Sequence, residues 1–329
     1  MSCVRSSKVI AVGFALAASL LGMAACSTNG EAVDIEPVQE GFGPAGNGGS
    51  GDEGNEDEGE KDEGEKGSDS TETEAVDSIG INPSDVGKAT LFKDSTDGLK
   101  FVHIPSVVLN RSSIKYSVSA YYIATTEVTQ GLYKEVVESL PDQDKLDDNL
   151  PVVNVSWYDA VLFCNALSKK VGLDTAYRYK SVGDKNFLEG LEIDYSVEAI
   201  RLPTEMEWEI AAHGGVMETT YYWGYEPASD YAYYGQSKGP AKVASKKPNA
   251  FGLYDMAGNV AEWVNDWYAS YSTTDAKNPV GPTTGKTKCI RGGGWGDKVA
   301  NIAPKERDKK DPLYSGRTLG FRIAYSKGF

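Results

Sequence analysis

Asp255-Met256-Ala257-Gly258-Asn259-Val260-Ala261-Glu262-Trp263 is the stretch on which the reading of this chain turns. It carries a carboxylate near each end and a glycine that lets the backbone curl. Taken as residues alone, it is a tight turn whose carboxylates bond to backbone amides. Outward from it lie three further compact words: Arg201-Leu202-Pro203-Thr204-Glu205-Met206-Glu207-Trp208-Glu209, Arg291-Gly292-Gly293-Gly294-Trp295 and Gly320-Phe321-Arg322. All four fall in residues 91–329, which hold all six tryptophans. A segment of that length buries a substantial core as one unit.

Regular helices are few but well signalled. Ser156, with Asp159 three residues on, has the form of a capping box, and Ala160, Val161, Cys164 and Leu167 follow at helical spacing until Gly172 closes the helix. Thr204 and Glu207 repeat that grammar ahead of Trp208, Ala211 and Ala212, with Gly214-Gly215 as the stop. A shorter helix is predicted over 130–138. Residues 121–123, 289–291 and 321–324 are the best strand candidates, and Pro, Gly, Asn and Asp punctuate the intervals. The pattern predicts an α+β domain with extensive loops.

The N-terminal third has a different character. Arg5 and Lys8 precede an apolar run over 9–21, and Met23-Ala24-Ala25 places small residues before Cys26. Residues 1–25 therefore read as a signal peptide. A cysteine directly after the small pair resembles a bacterial lipobox, which makes Cys26 the lipidated N-terminus of an exported, membrane-tethered chain in the bacterial cell envelope, with the outer membrane or cell surface favoured. Residues 26–90 read as a disordered, acidic, glycine-rich linker. Positions 27–90 hold 18 acidic and 3 basic residues, which accounts for the whole net charge of −15. The remainder is nearly neutral, so no basic stripe argues for nucleic acid. Such a run is a self-repelling spacer.

Taken together, the words resemble the formylglycine-generating enzyme family, also called the sulfatase-modifying-factor family. Their order completes the likeness: Glu127-Val128-Thr129, Pro151-Val152-Val153-Asn154-Val155-Ser156-Trp157, the Arg201 word, Trp223-Gly224, Asn249-Ala250-Phe251-Gly252-Leu253-Tyr254-Asp255, and the closing Arg-Gly-Gly and Gly-Phe-Arg words. The resemblance implies a fold distantly similar to C-type lectin domains, loop-rich and poor in regular structure. It also implies a calcium site at Asp255, Gly258, Val260 and Glu262, two carboxylates with two main-chain carbonyls between them, the hard oxygen set calcium takes. A second family calcium site is not implied here, because Tyr233 stands where an asparagine ligand belongs.

Family enzymes oxidise a substrate cysteine with two thiolates that bind copper(I). The matching positions here are Asp297 and Ile302, a hard oxygen ligand and a side chain with no ligand atom, so copper is not expected and no catalytic residue carries over. The two histidines, His103 and His213, do not supply an iron triad. Cys164 matches a helical cysteine that some relatives bridge to the last strand, where Ile323 stands here. A displaced Cys164–Cys289 disulfide and two inert thiols both remain open.

There is no nucleophile elbow, zinc-binding helix or phosphate-cradling loop. Two functions from different classes follow. In the first, a non-catalytic module recognises an envelope protein or glycan, within a larger assembly. In the second, a divergent enzyme of the family acts on a peptide or small molecule at a pocket near Trp295, Asp297 and Arg322. A cleft with convergent polar groups near Asp297 marks the enzyme, and a broad exposed apolar patch marks the binding module.

Overall fold

In the computed structural model, residues 36–37, 77–93 and 99–329 are described. The signal peptide, Cys26 and most of the acidic linker lie outside them. The boundary expected at Leu91 falls inside the folded body. Ser78–Ile79 and Gly87–Leu91 are strands, a 3-10 turn spans Pro83–Asp85, and Ile81 and Val86 are buried. Charge and glycine content had merged these residues with the linker, although Ile79, Ile81 and Val86 are the apolar side chains of a short edge.

Three helices appear where the sequence placed them, two of them from their capping chemistry. The first, α1 (Gln130–Val137), is capped by Thr129, whose hydroxyl accepts from the Leu132 amide. In α2 (Trp157–Lys170) and α3 (Glu205–His213), reciprocal boxes pair Ser156 with Asp159 and Thr204 with Glu207. Each box satisfies two otherwise orphan amides. Gly214 ends α3 in the left-handed conformation, which glycine adopts without steric cost.

The strands correct the fold class expected from the resemblance. The domain is mixed α+β, but it is neither loop-rich nor C-type-lectin-like: five sheets organise the described residues, one of six strands, two of four and two of two. No closed barrel is among these sheets. Most strands run two to six residues, too short to show a period of two, and many pair with partners far away in sequence. That is why they read as loops.

The six-stranded sheet is antiparallel throughout, in the order Glu36–Pro37, Gly87–Leu91, Leu99–Ile104, Tyr121–Ala124, Ala324–Ser326, Ala199–Arg201. Alternation sends Val102, Ile104, Tyr121 and Ile123 to one core with Trp208 and Ile210 of α3. Phe101, Tyr122 and Tyr325 turn to the other core, with Trp157, Val161 and Phe163 of α2 and Tyr133 of α1. The sheet therefore separates two apolar layers.

The predicted strand over 321–324 is two strands. Leu319–Phe321 lies parallel to Ala261–Trp267 in a four-stranded sheet, whereas Ala324–Ser326 joins the six-stranded sheet. The chain changes sheets across Arg322-Ile323. At this crossing a Cβ added to Gly320 would lie 2.5 Å from the Val152 carbonyl oxygen and 3.1 Å from Val260 Cγ2. Gly320→Ala is predicted to destabilise the domain by about 1–3 kcal/mol, read by denaturant unfolding. Gly80→Ala, whose added atom meets nothing nearer than 3.5 Å, is the control. Equal stability of the two variants would contradict this packing.

Candidate functional site: a polar cleft beside a buried ionic lattice

The site rests on the four-stranded sheet ordered Asp308–Lys310, Lys288–Arg291, Ala261–Trp267, Leu319–Phe321. Two tryptophans fix this sheet to the start of α2 reciprocally. Trp157 Nε1 donates to the Val264 carbonyl at 3.0 Å, and Trp263 Nε1 donates to the Val155 carbonyl at 3.0 Å. Both rings are fully buried, so their N–H groups need these partners.

A cleft of about 400 Å³ crosses the sheet. Ala261, Ile290 and Leu319 line it from the strands, while Asp297, Asn301, Glu306, Asp308, Lys310, Tyr314 and Thr318 supply polar groups. Asp297 is held in place because its Oδ2 accepts the Gly294 amide at 2.8 Å. Gly292 allows the turn above the cleft: it has φ +83°, and an added Cβ would lie 3.2 Å from Trp208. Of the pocket expected at Trp295, Asp297 and Arg322, only Asp297 lines the cleft. Trp295 is buried with its Nε1 donating to the Arg317 carbonyl, and Arg322 is fully buried. Ile302 is fully buried in the core, so the two positions expected from the resemblance to stand for thiolates hold an anchored carboxylate and a core aliphatic group.

Behind the cleft runs a lattice of buried charge. Arg291 Nη2 donates to Glu209 Oε2 at 2.7 Å and to the Pro304 carbonyl at 2.7 Å, and its Nη1 lies 3.4 Å from Glu205 Oε1. Arg307 grips both oxygens of Glu205 at 2.5 and 2.6 Å. Arg111 pairs with Glu209, and Tyr271 donates to Glu209 at 2.6 Å. Desolvated ions persist only in such mutual satisfaction. The sequence reading missed the lattice, although its signal was present: Glu205 and Glu209 stand four apart and share one face of an otherwise buried helix.

Across the sheet, three buried carboxyls meet one guanidinium. Arg322 Nε and Nη2 donate to the two oxygens of Glu262, each at 2.7 Å, and Trp208 Nε1 donates to Glu262 Oε2 at 2.6 Å. Glu127 and Asp255 complete the group, with Asp255 Oδ2 accepting the Ala244 amide at 2.7 Å. Burial first, then the charges of Asp255 and Glu262, hold the Glu127 carboxyl well above the usual range. Asp255 is raised by burial, with the Ala244 amide and Arg322 opposing the rise. Glu127 Oε1 accepts from Asn259 Nδ2 at 3.0 Å, whereas its Oε2 is buried without a hydrogen-bond partner among the described residues. A proton or a cation relieves that excess of negative charge.

These contacts bear on the calcium set of Asp255, Gly258, Val260 and Glu262. Asp255 and the orphan oxygen of Glu127 suit a cation. Glu262 suits one less well, since its Oε2 already accepts two donors and its Oε1 accepts one. No group of three or more His, Cys, Asp or Glu side chains arranged for a metal occurs among the described residues, so an ion here would depend on main-chain oxygens.

The remaining candidates are dispersed. Cys164 and Cys289 are both buried free thiols, in different core clusters. Cys289 Sγ donates to Glu205 Oε2 at 3.3 Å. His103 lies on the Leu99–Ile104 strand against Tyr122. His213 is buried at the end of α3, and burial pushes it down to about 4.

Comparison with known proteins agrees with this geometry. A family model of the sulfatase-modifying factor enzyme 1-like domain matches residues 110–327. The chain belongs to that family. It is 30% identical over 271 residues to the chaperone protein LppX of Paenibacillus barcinonensis, covering 71% of this chain and 93% of LppX. It is 41% identical over 128 residues to the serine/threonine-protein kinase pkn1 of Chlamydia pneumoniae, covering 38% of this chain. The chain spans only 20% of that kinase's length. Among solved structures, Treponema denticola variable protein 1 is 33% identical with a TM-score of 0.60, covering 69% of this chain and 95% of that one.

Proposed function

We propose that this sulfatase-modifying-factor domain recognises polypeptide in its cleft and has no cysteine-oxidase activity, and that Cys26 anchors it by lipid to the bacterial envelope. The observation that carries this reading is an accessible cleft lined by Asp297 with Ile302 buried behind it, the two positions that the family resemblance matches to its thiolates. An anchored carboxylate is a hard ligand and a buried isoleucine is no ligand, so copper(I) has no soft pair to bind. The name of LppX, nearly all of which this chain covers, supports a role in binding other proteins. Exposed side chains beside the cleft fit such a role: Leu313 is 40% and Tyr314 43% exposed, and Tyr314 lines the cleft. A second reading, a divergent enzyme acting on a peptide or small molecule, is favoured by the convergent polar lining near Asp297. Among the described residues the exposed large apolar side chains away from the cleft are Val108, Leu146, Val182, Phe187 and Tyr225.

Two experiments bear on the cleft reading. The full chain, incubated with copper, reductant, oxygen and a sulfatase-type cysteine peptide, is expected to yield no formylglycine by mass spectrometry. On an array of unstructured peptides it is expected to retain a subset, and Asp297→Ala with Tyr314→Ala should weaken retention about tenfold without lowering Tm. Copper-dependent turnover lost in Cys164→Ser or Cys289→Ser, or retention indifferent to the cleft variant, overturns the proposal.

We further propose a structural calcium at Asp255, taking the main-chain oxygens of Gly258 and Val260, with Glu127 and Glu262 as the surrounding negative charge. An ion bound only by the folded state stabilises it by mass action. Chelation is therefore expected to lower Tm, and Asp255→Ala to abolish that sensitivity. Identical melting with calcium and with chelator removes the site.

A further inference from the structure

A second cavity, of about 330 Å³, shares Arg307 with the cleft and opens on the other side of the ionic lattice. Its walls are apolar: Tyr116, Met206, Trp267, Tyr271, Val280 and Pro282. Three charged side chains reach it, Glu205, Asp266 and Arg307, and they are not equally free. Both Glu205 oxygens are taken by Arg307. Asp266 Oδ2 accepts the Glu205 amide at 2.8 Å, whereas its Oδ1 has no hydrogen-bond partner among the described residues. The same is true of Arg307 Nη1, on the side of the guanidinium turned away from Glu205.

Neither atom is sealed in the core. The side-chain atoms buried without a partner among the described residues are Glu127 Oε2, Arg201 Nε, His213 Nε2 and Arg291 Nε; Asp266 Oδ1 and Arg307 Nη1 are not among them, and both residues line the cavity. Gly281 keeps that space clear, since an added Cβ there would stand 3.2 Å from Asp266 Oδ1. The lattice is balanced in charge, with Arg111, Arg291 and Arg307 set against Glu205, Glu209 and Asp77, and Asp266 takes part in no ion pair among the described residues.

Asp266 itself favours its uncharged form. Burial pushes its carboxyl up to about 8, with the charge of Glu205 and then Glu207 adding to the rise, and the Glu205 amide and Lys288 opposing it. Since Oδ2 is the acceptor, the proton sits on Oδ1. The cavity lining therefore holds two donors, an acid O–H and a guanidinium N–H, beside apolar walls. Two such donors, one of them cationic, are complementary to a carboxylate, and apolar walls of this volume suit a small organic body.

We propose that this cavity binds a carboxylate carrying an apolar group, its head between Asp266 and Arg307 and its body against Tyr116, Met206, Trp267 and Val280. The head belongs either to a free organic acid or to the C-terminal carboxylate of a peptide ending in an apolar residue. In the complex Asp266 donates its proton to one ligand oxygen and Arg307 donates an N–H to the other.

Affinity then depends on pH with a definite sign. Ionisation of Asp266 removes a donor and sets two anions together, so binding weakens as pH rises through about 8. The other titratable and charged groups facing Asp266 are Glu205 and Glu207 from α3, Lys288 and Cys289 from the neighbouring strand, Tyr195, and Arg307. Lys288, which burial pushes down to about 7, is cationic at lower pH and works in the same direction.

Calorimetric titration of the full chain with phenylacetate, phenylacetamide and 2-phenylethylamine tests the proposal. At slightly acid pH, phenylacetate is expected to bind at least about tenfold tighter than the uncharged amide, and to weaken about tenfold for each pH step above the Asp266 transition. Asp266→Asn keeps an acceptor for the Glu205 amide and presents an N–H in place of the acid O–H, so it is expected to retain phenylacetate and to lose that weakening. Asp266→Ala should lose binding, and if it fails to fold, the Asn variant still decides the case. N-acetylphenylalanine set against its amide identifies the source: preference for the acid assigns the site to a chain terminus, and failure of both, with phenylacetate bound, assigns it to a free acid. Preference for 2-phenylethylamine, affinity that rises with pH, or absence of carboxylate binding by both folded wild type and the Asn variant overturns the proposal.

Discussion

The fork between Arg322 and Glu262 is the contact on which the rest of the domain depends. Arg322 stands where the last stretch of chain leaves one sheet for another, and it donates to three separate parts of the chain. Its Nε and Nη2 hold Glu262 in the centre of the four-stranded sheet, Nη1 donates to the Ala124 carbonyl of the six-stranded sheet at 3.1 Å, and Nη2 donates to the Tyr254 carbonyl at 3.0 Å. Trp208 closes the other side of Glu262 and brings α3 with it. A lysine offers a single ammonium and cannot span these acceptors, which is why a planar guanidinium serves here. The desolvation cost of two ions is offset only because nearly every hydrogen and lone pair is used.

From that fork the position of the cleft follows. With Glu262 fixed, Ala261 and Trp263 hold their register against Leu319 and Phe321 on one side, and Trp263 pairs with Ile290 on the other. The cleft floor is therefore laid by strands whose mutual position one buried ion pair determines. The second lattice, Arg291 and Arg307 with Glu205 and Glu209, then fastens α3 beneath the same sheet and divides the cleft from the apolar cavity beside it. The recognition we propose at the rim draws on this rigidity, because an ordered surface binds without first having to be ordered.

What the residues disclosed in advance divides along physical lines. Helix caps were legible because their chemistry is local: Ser156 with Asp159 and Thr204 with Glu207 act across three residues and appear as boxes in the structure. The sheets were not, since strands such as Ala324–Ser326 and Ala199–Arg201 have three residues each and meet across more than a hundred positions. The same holds for the sites. Asp297 was recognisable at the cleft because it stands in a motif with fixed spacing. Asp266, Arg307 and Glu127 owe their character to neighbours distant in sequence, which no window of residues displays. Arg322 was expected in a pocket, yet its position at a sheet crossing makes it part of the frame.

The fork can be tested by a double-mutant cycle on Arg322→Met and Glu262→Gln, with unfolding free energies from denaturant titration. Each single change strands a buried partner and is predicted to cost about 3–5 kcal/mol, while the double variant should cost less than the sum by more than about 1 kcal/mol. Single variants within about 0.5 kcal/mol of wild type, or strictly additive losses, would contradict the account.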